Sequence, residues 1–147
     1  MTSQAGTAST INSEDWSCVF DDAMEVLVVE DDEADAFLIR KALRRNPHIA
    51  RISHAHDGLE ALDWLDKKLI NPDVAIIDLH MPKKNGHSLL IELRCRPEWD
   101  FPTIVLTSSK AREDATRSRL RGANYFMTKP DTVDELDSML THAMRGM

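Results

Sequence analysis

Residues 24–32 read Met-Glu-Val-Leu-Val-Val-Glu-Asp-Asp, a short aliphatic run that stops at an acidic cluster. Such a run predicts a buried strand that ends where the acids begin. Glu33–Asn46 follows with a helical pattern, in which acids come first and basic residues last, and Pro47 lies just beyond it. The stretch therefore predicts one strand and one helix, with an acidic loop between them.

The same order of strand and helix recurs five times along the chain. A helical face of Leu59, Leu62, Leu65 and Leu69 marks the second helix. The other strands are predicted at 51–56, 73–77, 102–106 and 124–128, and the other helices at 87–96, 113–121 and 132–145. Short strands that are apolar along their length are typical of a parallel sheet covered on both faces. The pattern predicts an α/β fold, a three-layer sandwich around a doubly wound five-stranded parallel sheet in the order 2-1-3-4-5.

Length and composition favour a single domain preceded by a tail. The chain has 147 residues, of which 42% are hydrophobic, enough for a normal core. Residues 1–20 are rich in Ser, Thr, Ala and Gly without sustained periodicity, and they predict a flexible N-terminal tail. We therefore expect one folded domain over residues 22–147.

Charge and cysteine content restrict where the protein works and what it binds. The net charge is −7, and residues 1–39 carry ten acids and no base, which disfavours nonspecific binding to nucleic acid. Cys18 and Cys95 have no metal-ligand spacing, which favours a reducing compartment. No signal peptide is visible, and no apolar run approaches the ~18 residues that span a bilayer. We expect a cytoplasmic protein that binds neither membranes nor nucleic acid.

Polar side chains follow four of the predicted strands, at the point where each strand ends. Glu30 and Asp31 follow the first strand and Asp78 the third, while Thr107 and Lys129 follow the fourth and fifth. In such sheets function gathers at the carboxyl ends of the strands, and strands one and three are neighbours in the predicted order. The three carboxylates are therefore expected to converge in one pocket, with a hydroxyl and an ammonium at its rim.

Clustered carboxylates repel one another, and a hard divalent cation relieves that repulsion. Mg²⁺ prefers oxygen ligands and keeps several waters, so a solvent-open site of few carboxylates suits it better than Zn²⁺. Thr107 and Lys129 are residue types that hold phosphate oxygens, and a carboxylate such as Asp78 can form an acyl phosphate. Singly, Thr107 would be an ordinary strand-end hydroxyl, Lys129 a surface lysine and Asp32 a helix cap. Their combination over four loops favours phosphoryl chemistry.

At these residues the sequence resembles the receiver domain of two-component response regulators, a family with the flavodoxin/CheY-like fold. The resemblance spans about residues 24–145. The matching stretches are Val26-Leu-Val-Val-Glu-Asp-Asp32, Asp73-Val-Ala-Ile-Ile-Asp-Leu-His-Met-Pro82 with Gly86, Ile104-Val-Leu-Thr-Ser108, and Gly122-Ala-Asn-Tyr-Phe-Met-Thr-Lys-Pro130.

The resemblance implies a role for each residue of the pocket. Asp78 would accept a phosphoryl group from a histidine kinase in a Mg²⁺-dependent reaction. Glu30, Asp31, Asp78 and the main-chain carbonyl of His80 would hold the Mg²⁺, with Asp31 as a direct ligand. Lys129 would pair with the phosphate.

The resemblance also implies a switch. Thr107 would bind a phosphoryl oxygen and move inward, and Phe126 would occupy the rotating aromatic position while Tyr125 faces the other way. The face made by helix four, strand five and helix five would then change shape and be recognised by a partner or a second copy. The bond before Pro130 would be cis, as is typical of the family.

Three positions depart from the commonest family pattern. Glu30 replaces the more usual first Asp and lengthens the reach to metal. His80 and Ser109 stand two residues after Asp78 and Thr107, positions that tune phosphoryl lifetime in the family, so the lifetime stays open. The sequence of residues 29–36 and 78–86 is most similar to the sequences of regulators partnered with phytochrome-type light-sensing kinases.

Other functions remain as alternatives. We expect no output domain beyond Met147, and the output would then be a separate protein, a homodimer, or onward transfer of the phosphoryl group as a shuttle or sink. A Mg²⁺-dependent phosphatase with an aspartyl nucleophile would normally carry Asp-x-Asp, whereas Asp78-Leu-His80 lacks the second acid. A flavin electron carrier would need a Ser/Thr/Gly-rich phosphate loop where Glu30-Asp-Asp32 stands.

Overall fold

The computed structural model describes residues 23–146, which form a parallel sheet with helices on both faces. All strand pairs are parallel, and the strand order is β2-β1-β3-β4-β5, as predicted. The strands of this part of the chain are β1 (Met24–Val29), β2 (Ile49–Ala55), β3 (Val74–Ile77), β4 (Thr103–Thr107) and β5 (Tyr125–Thr128). The predicted tail at 1–20 lies outside the described residues and stays a prediction.

Five helices connect or follow these strands within residues 23–146. They are α1 (Glu33–Leu43), α2 (Gly58–Asp66), α3 (Gly86–Arg94), α4 (Arg112–Leu120) and α5 (Val133–Arg145). Helices α1 and α5 pack against each other and cover one face of the sheet, while α2 and α3 cover the other face. Each face has its own core, in which aliphatic side chains predominate, so the described residues form the three layers that the sequence predicts.

The register of the sheet aligns the carboxyl ends of its central strands. Val29 at the end of β1 pairs with Ala55 of β2 on one side and with Ile77 of β3 on the other. Every side chain of β3 and β4 is buried, as expected for strands covered on both faces. The residues that immediately follow β1 and β3 therefore leave the sheet side by side.

The second helix is shorter than its leucine pattern predicts. Leu62 and Leu65 are buried, but the helix ends at Asp66, and Leu59 and Leu69 are 52% and 61% exposed. Lys68 has a φ of 57°, a left-handed conformation that a helix cannot continue through. The prediction of a helical face through Leu69 was therefore wrong at its carboxyl-terminal end, because Leu69 lies beyond the helix.

Within residues 23–146, no helix combines the length and the apolar character that crossing a membrane requires.

Candidate functional site

Three carboxylates meet where β1 and β3 end. Glu30 and Asp31 follow β1, Asp78 follows β3, and one carboxylate oxygen of each lies within 4.8 Å of the others. Glu30 and Asp78 are buried, with 1% and 6% of their surface exposed, whereas Asp31 is exposed. The structure thus brings together the three acids that the strand order predicts, in a pocket that is open to water on the Asp31 side.

Lys129, directly after β5, neutralises part of this charge. Its Nζ lies 2.6 Å from Oε1 of Glu30, 2.7 Å from Oδ2 of Asp35 and 3.7 Å from Oδ2 of Asp78. Burial disfavours the charged ammonium, but the hydrogen bonds with Asp35 and Glu30 outweigh it, so the pKa of Lys129 is raised. The ammonium is therefore the fixed positive charge of the pocket.

Asp35 was missed by the sequence analysis, although it holds the Lys129 ammonium. It lies in the first turn of α1, where acids were attributed to the helix dipole alone. Asp32 caps that helix, as expected, because its Oδ1 accepts a hydrogen bond from the N–H of Asp35. The cap fixes the first turn, and the first turn places Asp35 beside the lysine.

Burial and repulsion act together on Glu30. Burial is the larger cause of a raised pKa, and the neighbouring charge of Asp78 raises it further, while Lys129 and the N–H of Asp32 oppose the shift. A second carboxylate within the same buried pocket is thus costly to keep ionised. A bound cation would remove this cost, because it favours the charged form of every carboxylate around it.

Asp78 is placed by main-chain contacts and keeps one oxygen unpartnered. Its N–H donates to the carbonyl of Val29, 3.0 Å away, which extends the β1–β3 pairing by one residue. Among the described residues, no hydrogen-bond partner is found for its buried Oδ1. A buried carboxylate oxygen without a donor, next to two further carboxylates, fits a hard divalent cation with oxygen ligands.

Gly86 supports the loop after β3. Its N–H donates to the carbonyl of Leu79 over 2.9 Å. A Cβ added at Gly86 would clash with the carbonyl oxygen of Asp78 and would lie 2.7 Å from Cα of Leu79. The absence of a side chain therefore lets α3 start directly against the loop that carries Asp78.

A main-chain hydrogen bond connects Thr107 and Lys129 at the carboxyl end of the β4–β5 pairing. Thr107 is fully buried, its carbonyl accepts a hydrogen bond from the Lys129 N–H at 2.8 Å, and its Oγ1 lies 3.5 Å from the Ser109 N–H. Phe126 packs against the core on the α2–α3 side, and Tyr125 against the core on the α1–α5 side. The two aromatic residues thus face opposite sides of the sheet, as strand alternation predicts.

The peptide bond between Lys129 and Pro130 differs from expectation. The resemblance implies a cis bond, but the described chain contains no cis peptide bond, so this prediction was wrong for the structure. The trans form that the structure has is also the intrinsically preferred one before proline, by about 0.5–1 kcal/mol.

Asp114 connects two further residues of the pocket rim and was also missed. It accepts a hydrogen bond from the Ser109 hydroxyl at 2.6 Å, and its Oδ2 lies 3.5 Å from Nε2 of His80. Nε2 of His87 lies 3.2 Å from its other oxygen. The bond from Ser109, followed by the one from His87, lowers the pKa of Asp114. The side chains two positions after Asp78 and Thr107 thus share one carboxylate.

Comparison with known proteins identifies the class to which this fold and site belong. Residues 26–141 match the family described as response regulator receiver domain. A curated relative from Methanothrix harundinacea, described as a probable methanogenesis regulatory protein, FilR2, is 32% identical over 123 residues. That alignment covers 79% of this chain and 78% of the relative. Mycobacterial relatives named response regulator MprA are longer, and the chain spans 51% of their length.

Two solved structures are similar in both fold and sequence. The phosphorylated cyanobacterial phytochrome response regulator RcpA is 28% identical, with a TM-score of 0.75, and the match covers 82% of this chain and 90% of that one. The Mn²⁺-bound form of response regulator Rcp1 is also 28% identical, with a TM-score of 0.72, covering 81% of this chain and 90% of that one. The chain therefore belongs to the response regulator receiver domain family, the receivers of two-component systems.

Proposed function

We propose that Asp78 accepts a phosphoryl group from a histidine kinase and that this modification switches a partner-binding face. The observation that carries the proposal is the burial of the Asp78 carboxylate and the charges that surround it. Its carboxylate is buried at the end of an apolar strand and lies between two further acids and one ammonium. Among the described residues, no donor satisfies its Oδ1. A purely structural carboxylate in such a place would be costly and would normally be paired.

The proposed transfer forms one bond and breaks one. An oxygen of Asp78 attacks the phosphorus of a phosphohistidine, and an O–P bond forms as the P–N bond breaks. The electron pair of the broken bond stays on the imidazole nitrogen, which then takes a proton from water. Lys129 is 3.7 Å from the Asp78 carboxylate and can pair with the acyl phosphate, whose phosphoryl oxygens carry a charge of about −1.5 to −2.

The residues present fit a Mg²⁺ ion. Glu30, Asp31, Asp78 and the carbonyl of His80 would hold it, and all of their donor atoms are oxygens. When bound, the ion would neutralise charge on the phosphoryl oxygens. The Mn²⁺ described for Rcp1 is likewise a hard cation that suits oxygen ligands, which supports the proposed preference.

The proposed switch uses Thr107 and Phe126. The hydroxyl of Thr107 would donate to a phosphoryl oxygen and draw the start of the β4–α4 loop inward. Phe126 is only partly buried and packs beside the α2–α3 core, so it can turn further into the molecule. The surface formed by α4, β5 and α5 would then change shape and bind a partner protein or a second copy. The phosphoryl group acts as a ligand that prefers one of two states.

The test of the phosphorylation site compares matched variants with a small phosphodonor. Intact-mass analysis after incubation with acetyl phosphate and MgCl₂ should show one added phosphoryl group on the wild-type chain. Asp78→Asn should remove it, because an amide does not form the acyl phosphate. Asp73→Asn, which changes an exposed acid just before β3, should keep it. Undiminished labelling of Asp78→Asn would overturn the assignment.

We further propose that the cognate kinase is of the phytochrome type. The support is the similarity of fold and sequence to a protein described as a phytochrome response regulator. The amino-acid sequence of residues 29–36 and 78–86, which resembles regulators of phytochrome-type kinases, supports the same partner. Brief phosphotransfer assays against the histidine kinases of the source organism should show fastest transfer from a phytochrome-type kinase. Faster transfer from a kinase without a light-sensing module would contradict this partner while leaving Asp78 in place.

A further inference from the structure

A second cluster of metal-binding side chains lies beside edge strand β2. His54 in β2 and His56 just after it are two residues apart and project to the same side, with ring centroids 4.4 Å apart. Glu33, the first residue of α1, faces them. One ligand atom from each of these three residues lies within 4.8 Å of the others. The cluster therefore has the composition of two imidazoles and one carboxylate.

Each imidazole has one ring nitrogen held by an oxygen that is not part of this triad. Nε2 of His54 lies 2.8 Å from the carbonyl oxygen of Glu30, so a proton on Nε2 leaves the lone pair on Nδ1. Nδ1 of His56 lies 3.1 Å from Oε1 of Glu60, an oxygen that also accepts the His56 N–H at 2.8 Å. Histidines that bind metals almost always donate their other N–H to a carbonyl or carboxylate in this way.

We propose that His54, His56 and Glu33 form a binding site for a Zn²⁺ ion, with a water molecule in the fourth position. Nε2 of His56 and Oε1 of Glu33 are 3.0 Å apart. Two ligand atoms on one tetrahedral Zn²⁺ are about 3.4 Å apart, given bonds of about 2.0–2.1 Å. The ion would thus take the place of a proton between these two atoms, and binding would release that proton when His56 is charged.

The two clusters of the domain differ in the metal they suit. The pocket around Asp78 offers carboxylate oxygens, which hard Mg²⁺ prefers, whereas imidazole ligands favour Zn²⁺ and similar transition metals. Glu33 and His56 are 71% and 55% exposed in their side chains, so an ion reaches them from solvent and small side-chain rotations can close the triad. Excess Mg²⁺ should therefore fill the first site without occupying the second.

The test is a Zn²⁺ titration of the full chain in excess MgCl₂, followed by competition with a chromophoric chelator. We expect one Zn²⁺ per chain, removed by EDTA. His54→Gln or His56→Gln should weaken its binding at least tenfold, because each removes an imidazole ligand. In NMR spectra of the wild-type chain, Zn²⁺ should shift the imidazole signals of both histidines. His142→Gln, which changes an exposed histidine of α5, is the matched control and should bind Zn²⁺ as the wild type does.

Three outcomes would overturn the proposal. These are the absence of Zn²⁺ binding by the wild-type chain, unchanged affinity in a His54→Gln/His56→Gln double variant, and loss of Zn²⁺ binding in Asp31→Asn with both histidines intact. The last result would place the ion in the acidic pocket instead. Circular dichroism of each variant verifies that it is folded, and a misfolded glutamine variant would be replaced by His54→Asn or His56→Asn.

Discussion

Asp78 lies in a place that is unfavourable for stability and favourable for reaction. Its charge raises the pKa of Glu30, so the two carboxylates repel each other across the pocket. Only one ammonium, that of Lys129, is near both among the described residues. Strain of this kind is commonly retained at functional sites, since it is relieved when the ligand or modification arrives.

Removing the Asp78 charge should therefore stabilise the metal-free fold. In EDTA, Asp78→Asn should raise the free energy of unfolding, because it removes the negative charge that helps to raise the pKa of Glu30. Mg²⁺ should reduce this advantage, since it stabilises the wild-type carboxylates. Urea unfolding with and without MgCl₂ measures both effects. Asp100→Asn, which changes an exposed acid outside the pocket, serves as the control. A less stable Asp78→Asn in EDTA would contradict the repulsion.

His87 makes the stability of the fold depend on pH. It is buried in α3, and desolvation lowers its pKa, helped by the charges of Arg117 and Arg121 and opposed by its bond with Asp114. The folded pKa lies below the unfolded value of 6.5, so the unfolded chain takes up the proton first as pH falls. The contribution of neutral His87 to stability is therefore fully present above about pH 6.5. It decreases as the pH falls below that value, until the pH reaches the pKa of His87 in the folded state.

Replacing His87 should remove this part of the pH dependence. Between about pH 7.5 and about pH 5, the wild-type chain should lose more stability than His87→Gln, whose amide is neutral at both pH values. Urea midpoints at the two pH values give the comparison. His142→Gln changes an exposed histidine and should behave as the wild type does. Equal pH dependence in wild type and His87→Gln would show that burial of His87 is unimportant for stability.

At the scale of single elements, helix caps account for most boundaries. Asp32, Asp57, Asn85 and Thr132 each accept a hydrogen bond from the N–H three residues on, at the starts of α1, α2, α3 and α5. Helix α4 differs, because its cap residue Ala111 has no side-chain acceptor. In its first turn the N–H of Asp114 donates instead to the carbonyl of Ala111, 3.1 Å away, and no side chain caps the helix.

A better cap should stabilise α4. Ala111 is exposed and has an extended backbone, φ −70° and ψ 127°, which a serine can adopt. Ala111→Ser should raise the free energy of unfolding by about 0.5–1 kcal/mol. Thermal or urea unfolding measures the gain, and Asn85→Ala at the start of α3 should show a loss of similar size. No change in either variant would mean that these helix starts are not limiting.

The elements also show what the sequence could and could not determine. The aliphatic run of β3 that ends at Asp78 predicts both a buried strand and an acid at its functional end. Both features can be read from adjacent residues, because functional residues of parallel sheets gather at the carboxyl ends of the strands. Asp35 and Asp114 could not be found in this way. Each stands on a helix, and the direction of a helix side chain depends on how that helix packs against the sheet.

The spacing of apolar residues also did not predict where helix α2 ends. The leucine spacing of α2 continues to Leu69, but the backbone turns left-handed at Lys68 and the helix stops at Asp66. A lysine carries no sequence signal for this turn, unlike the glycine that usually supplies it. Apolar spacing therefore identified the helix but overestimated its length.

For the molecule as a whole, stability comes from two cores separated by the sheet. Leu90 of α3 is fully buried in the core on the α2–α3 side, and Arg94 links that helix to the carbonyls of Phe101 and Gly122. Leu120 at the end of α4 is 82% exposed. Leucines of the same chain thus differ in how much apolar surface folding removes from water.

This difference predicts unequal costs for one substitution. Leu90→Ala should lower the free energy of unfolding by about 2–5 kcal/mol, because it leaves a cavity in a packed core. Leu120→Ala should change it by less than about 0.5 kcal/mol. Urea unfolding of the two variants gives the comparison. A cost of less than about 1 kcal/mol for Leu90→Ala would indicate that the core can collapse around the missing atoms.

The contact of Lys129 with Asp35 has a consequence for motion beyond the pocket. In the described state, one ammonium ties the first turn of α1 to the loop after β5. A phosphoryl group on Asp78 would compete for that ammonium, and Asp35 would lose its partner. The backbone amides early in α1 should then exchange their hydrogens with solvent faster, while those of β3 stay protected. Phosphorylation would thus loosen one helix end as it orders the pocket.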